Sequence, residues 1–237
     1  MKDTARDDRD LPAGFKAVKD AITSRRSIRA FLPTPIDPGL LDEVLRIAGM
    51  APSGSNVQPW KVHVVSGRVR EQFAADLLAA HQANEPGARE YQYYPVKWRS
   101  PYIERRRATG WGLYGLLNIQ KGDHEATARQ RGRNFELFGA PVALMFTIDR
   151  DLEMGSWLDY GMFLQNIMVA ARGCGLHTCP QAALADYPDI VRRHLGIGED
   201  QIIVCGISIG YADPDDPVNE FQPDRMPLEE FVTYHRG

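Results

Sequence analysis

Four of the five residues in the run Arg25-Arg26-Ser27-Ile28-Arg29 carry groups that grip an anion. Guanidinium forks and hydroxyls are the usual holders of a phosphate. The spacing lets Arg25 and Ser27 take a phosphate while Arg29 points to the other end of the same ligand, beside a group that gains negative charge. The same string equally suits a solvated basic helix end making ordinary surface ion pairs. A second string, Pro52-Ser53-Gly54-Ser55-Asn56, precedes Gln58, Pro59 and Trp60. It joins flexible backbone to small polar side chains that can hydrogen-bond a heteroaromatic edge. Alone, it is also simply a turn before a strand.

These residues need elements to hold them. Phe15, Val18, Ala21 and Ile22 recur at helical spacing over 15–23, so the basic run sits at or just beyond a helix end. A second helix is expected over 38–50, with Asp37 as its cap, Pro38 in its first turn and Leu40, Leu41, Val44, Leu45 and Ala48 on one face. Strands are expected at 60–66, 141–148 and 201–209, and helices at 69–82 and 102–117. The segment 159–172 is apolar on nearly every side, as for a helix at the centre of a fold or of a dimer interface. The excursion 85–133 is irregular, tyrosine-rich and then polar up to Arg133, and is expected to cover something. Residues 227–234 read as a short closing helix or extension.

Composition narrows the function classes. With 43% hydrophobic and 25% charged residues the 237-residue chain can bury a core, and one domain over 15–237 follows a charged arm at 1–14. A net charge of −3 gives no broad positive field for nucleic acid. Residues 1–10 lack the apolar stretch of a secretory signal, and 157–171 is too short and too interrupted to cross a bilayer. Three cysteines do not make a disulfide framework, so a reducing cytoplasm is expected. Cys174, His177 and Cys179 lie close together, but no fourth ligand follows at a zinc spacing; a buried turn is expected there and no metal.

Together the two opening strings stand in an order that resembles the start of the nitroreductase family. The similarity runs from Phe15 to Val232: Arg25 to Phe31, Ala51 to Trp60, Gly139-Ala140-Pro141 opening a strand, Gly173-Cys174-Gly175-Leu176, Cys179-Pro180-Gln181, Gly206 to Gly210 and Arg225-Met226-Pro227-Leu228. The resemblance implies an α+β fold, with a mixed, mainly antiparallel central sheet flanked by helices, in a homodimer with swapped C-terminal extensions. It implies tightly bound FMN, with Arg25, Ser27 and Arg225, beside Arg26, on the phosphate and ribityl chain and Arg29 at the pyrimidine edge. Pro52, Ser53, Ser55 and Asn56 would reach the flavin of the second subunit. Thr178, Cys179, Pro180 and Gln181 would lie along one flavin face, with Asn134 at the pyrimidine edge. This chain has Ala182 where some members carry glutamate, and Pro223 where some carry lysine, which shifts phosphate binding onto Arg25 and Arg225.

The activity so implied is ping-pong, two-electron transfer from NADH or NADPH to nitroaromatic or quinone-like acceptors. The flavin carries the chemistry and no side-chain nucleophile is needed. No Gly-x-Gly-x-x-Gly fingerprint is required, because the nicotinamide only visits the flavin. Reductive dehalogenation or dehydrogenation of an aromatic or amino-acid-derived substrate, and a non-catalytic flavin-binding role, remain alternatives. Tyr94, Trp98 and Tyr102, with Tyr91 and Tyr93, form either an aromatic lid over the flavin or dimer packing. Arg105-Arg106-Arg107 either draws an acidic substrate or the 2′-phosphate of NADPH, or is a solvated helix face.

Overall fold

A computed structural model describes residues 12–236. The expected arm at 1–14 falls largely outside them; helix α1, Ala13–Ser24, already contains its last two residues. Helix α2, Pro38–Ala48, starts where expected: the Asp37 carboxylate accepts from the Leu40 N–H at 2.8 Å, and Pro38 occupies the first turn, where no intrahelical N–H bond is lost. Strand β1 is Lys61–Ser66 and helix α3 Gly67–Gln82; α4 is Tyr102–Leu116 and α5 His124–Gly132. Strand β2 is Val142–Asp149, α6 Met154–Gly173, β3 His177–Gln181, α7 Pro188–Leu195 and β4 Gln201–Gly210.

The four strands form one sheet in the order β1-β2-β4-β3, and every pairing between them is antiparallel. Helices cover both faces. Val142, Leu144, Phe146 and Ile148 of β2 pack with α2 and α6, whereas Ala143 and Met145 pack with α3 and α7. Burial on both faces explains why β2 and β4 read as continuous apolar runs rather than alternating ones. The α+β reading, with an antiparallel sheet flanked by helices, holds.

Two expectations need correction. The stretch ending at Arg133 is not irregular throughout: α5 forms there, with the Asp123 carboxylate accepting from the Ala126 N–H at 2.9 Å. The expected turn around Cys179 is strand β3, and α7 follows it, closed by Gly196 in the left-handed region at φ 64°. The short closing element expected over 227–234 is one 3-10 turn, Leu228–Glu230, within an otherwise irregular segment. Of the two places expected for the helix over 159–172, this chain encloses only one side of α6: Tyr160, Phe163, Ile167 and Ala171 are buried, while Leu158 is 73% exposed. Among the described residues no helix is long and apolar enough to cross a membrane.

Candidate functional site

Strand β3 is an edge strand, and its free side captures the basic run that follows α1. Ser27 bridges Thr178 in parallel, with the Ile28 N–H donating to the Thr178 carbonyl at 3.1 Å. Unpaired edge groups are a template for such an addition. The next residues are pinned by Asn219. Its side-chain oxygen accepts from the N–H of Arg29 at 2.8 Å and of Ala30 at 3.2 Å, and its amide donates to the carbonyls of Ala30 and Asp213. The Arg29 guanidinium donates back to the Ser27 carbonyl at 3.2 Å and lies 5.9 Å from the Phe221 ring centre. Asn219 was not legible beforehand, because nothing in its local sequence marks a partner 190 residues away.

Arg25 and Arg26 face Arg225, Arg172 and His177 across a cavity of about 800 Å³ that also touches Gln165 and Ser24. Four arginines line it and no aspartate or glutamate does. Among the described residues the Arg25 guanidinium has no hydrogen-bond acceptor, and Arg225 donates only to the carbonyls of Pro223 and Asp224. Burial, then the nearby charge of Arg225, holds the Arg25 guanidinium below its ordinary value. His177 is pushed down to about 4 by burial and by Arg172 and Arg26, so the ring is neutral at pH 7. A cluster of like charges without a counter-ion, rich in planar forks, is the chemistry of a phosphate site. The residues present therefore fit the phosphate of FMN.

Beside the cavity, Thr178 is fully buried, and its hydroxyl oxygen has no partner. Cys179 is buried, and desolvation raises its thiol to about 12 despite the opposing charges of Arg29 and Arg25. A thiol held there stays protonated and is no nucleophile. Pro180 is exposed on β3. Gln181 is committed to the protein: it donates to the Asn134 carbonyl at 2.7 Å and accepts from the Ser208 hydroxyl at 2.5 Å. That pair brings Asn134 against β3, although 47 residues separate it from Gln181. Among the described residues no cluster suits a metal ion, and all three cysteines are free.

The second string lies elsewhere. Pro52, Ser55 and Asn56 are exposed; the Ser53 hydroxyl accepts from the Gln58 N–H at 2.9 Å, and the Gly54 N–H donates to Asp159 at 3.0 Å. Asp159 and Arg172 are thirteen residues apart on α6, which is about 20 Å along the axis and roughly 140° around it. One chain thus keeps the loop away from its own arginine cavity.

The excursion forms an aromatic and cationic cluster. Tyr94 meets Tyr93 and Trp98, Arg106 stacks on Trp98 and Tyr94, and Arg99 and Arg105 face Tyr102. Helix α4 leans on the site's own wall, since Gly112 is so close to Phe221 that a Cβ would come within 2.8 Å of its ring.

The fold and the cavity define an α+β protein with a cluster of arginines, free of carboxylates, at a sheet edge. The Nitroreductase family profile matches residues 22–211, and the chain belongs to that family. It is 46% identical over 219 residues to 4-nitrobenzoate reductase of Pseudomonas putida, covering 92% of this chain and 93% of that one. It is 38% identical to nitrobenzene nitroreductase of Ectopseudomonas oleovorans, covering 92% and 96%. The FMN-dependent nitroreductase NfnB from Mycobacterium smegmatis, solved in complex with NADPH, superposes with a TM-score of 0.90 at 33% identity, covering 94% of this chain and 99% of that one.

Proposed function

We propose that this chain is an FMN-dependent oxidoreductase, working as a homodimer, that reduces nitroaromatic or quinone-like acceptors with NADH or NADPH. The carrying observation is the cavity of four arginines without a carboxylate, fixed against β3 by the Ser27–Thr178 bridge. The net first step is ArNO₂ + NAD(P)H + H⁺ giving ArNO, NAD(P)⁺ and water. When bound, FMN supplies the two-electron carrier between donor and acceptor.

The protein's part is binding and electrostatics. Arg25, Arg26 and Arg225 hold the phosphate, and Ser27 and Thr178 offer hydroxyls beside it. Arg29 is fixed at both ends, its backbone by Asn219 and its side chain by the Ser27 carbonyl. A cation held in this way stabilises developing negative charge without reorganising. The Thr178 to Gln181 strand and Asn134 form the wall behind the ligand.

Two observations support a dimer. The Pro52, Ser53, Ser55 and Asn56 loop is displaced from its own cavity along α6, so a part for it in such a site calls for a second chain. Exposed apolar side chains also run along α1 and α6, namely Phe15, Val18, Ile22, Met154 and Leu158. Such a face on a lone chain marks an association surface. The free thiols support a reducing, cytoplasmic setting.

The test is an anaerobic absorbance spectrum of the purified protein, before and after NADH or NADPH and then after a nitroaromatic. A flavin band that bleaches and returns is expected. A band that never bleaches would leave only a flavin-binding role. A band that bleaches but returns only with a halogenated acceptor would favour dehalogenation.

A further inference from the structure

Residues 97–107 hold five cations, Lys97, Arg99, Arg105, Arg106 and Arg107, and one acid, Glu104, in a chain whose net charge is −3. The structure sorts them. Arg105 is taken by Glu230 at 3.4 Å and by the Met226 sulfur at 2.9 Å, and Arg99 bonds the Ser100 carbonyl. Arg106 differs. Its guanidinium carbon lies 5.0 Å from the Trp98 ring centre and 5.9 Å from that of Tyr94, and among the described residues it has no hydrogen-bond or ion-pair partner.

Stacking fixes the plane of a guanidinium and leaves its N–H edge free to grip a carboxylate with two bonds. The rings that hold Arg106 supply an apolar wall for an aryl group. Helix α4, which bears Arg106, reaches the site through its other face: Gly112 abuts Phe221, whose ring faces Arg29, and Arg105, the residue before Arg106, abuts Met226, the neighbour of Arg225.

Resting on the function proposed above, we infer that Arg106 on the Tyr94–Trp98 platform binds the carboxylate of the acceptor, and that aromatic carboxylates are its preferred acceptor class. The positive segment around it draws such anions toward the site. A 2′-phosphate of NADPH shares the anionic chemistry, so the test separates the two.

The test uses the FMN-loaded protein and needs no turnover at its first stage. Benzoate, which carries no nitro group, is titrated against tryptophan fluorescence, with Trp98→Phe identifying the responding residue. Arg106→Gln is expected to raise the benzoate Kd about tenfold to a hundredfold, the range of a charge-assisted hydrogen bond. Benzyl alcohol should bind both proteins alike, and Arg106→Lys should recover part of the loss.

In turnover, Arg106→Gln should raise KM for 4-nitrobenzoate while kcat/KM for nitrobenzene stays within about twofold, on the same charge argument. Equal benzoate affinity in wild type and variant would overturn the inference. So would equal losses for both nitro acceptors, or a change confined to KM for NADPH. Benzoate binding that depends on Arg106, in a protein that reduces no nitroarene, would uphold the carboxylate site and refute the acceptor activity instead.

Discussion

Removing Arg225 tests the phosphate site with opposite effects on two observables. In the protein without flavin, Arg225 is an exposed cation that disfavours its neighbour Arg25 and donates only to nearby carbonyls. Arg225→Ala therefore relieves repulsion and leaves the apoprotein Tm nearly unchanged. With FMN bound, the same substitution removes a charge-assisted contact to phosphate worth about 1.5–3 kcal/mol. At about 1.4 kcal/mol per decade, the FMN Kd rises roughly tenfold to a hundredfold. Arg107→Ala, on α4, is the control and should shift Kd by less than about twofold by the same arithmetic. The assay is quenching of FMN fluorescence on titration with apoprotein at two ionic strengths. The wild type should lose affinity with salt more steeply than Arg225→Ala, because screening weakens each exposed charge pair. Equal Kd values for Arg225→Ala and Arg107→Ala would refute the assignment of the cavity.

Two further outcomes concern the frame around that cavity. Gln181→Leu strands the Ser208 hydroxyl and the Asn134 carbonyl in the interior, at a cost of about 1–3 kcal/mol, so calorimetry should show Tm falling by about 3–10 °C; a shift under about 1 °C would mean that water or a new partner replaces the amide. His177 is depressed to about 4 in the folded protein, while the unfolded chain takes up its proton near 6.5. Its neutral form is therefore accommodated above that range, and urea midpoints should fall as pH drops from about 6.5 toward 4, with His177→Gln flattening this part of the curve. Glu90 is separable, because burial opposes but Arg150, the Ile203 N–H and Arg192 outweigh it to depress its carboxyl, so its contribution is lost only below 4.5.

What could be read from the sequence follows from the range of each interaction. The Asp37-Pro38 cap and the buried runs of β2 and β4 are local or periodic signals, and they were legible. Strand β3 was not. His177 to Gln181 is short, carries Pro180 and alternates poorly, as an edge strand with a full ladder on one side and a single bridge on the other can. Helix α5 has only Gly132 buried and rests on the Asp123 cap and the Glu125–Arg129 pair rather than on an apolar stripe. α7 spans only eight residues, so its start at Pro188 and its stop at Gly196 are its main marks.

The site poses a harder problem of the same kind. Arg25 and Arg225 stand two hundred residues apart, and only the fold brings them across one cavity. Resemblance supplied the pairing, and geometry supplied its physical reason: β3 anchors the first arginine run while Asn219 ties that run to the chain entering the second. The Pro52 to Asn56 loop marks the limit of both. Its hydrogen bond to Asp159 and the length of α6 keep it from its own cavity, so under the proposed reading its polar groups would meet a ligand only in the cavity of a second chain. The exposed Leu158, one residue from Asp159 on that helix, is where such a contact would bury apolar surface at about 25 cal/mol per Å². Leu158→Glu should therefore impair dimerisation and FMN retention together, by sedimentation and by flavin content. Full FMN retention in a monomeric variant would show that one chain suffices.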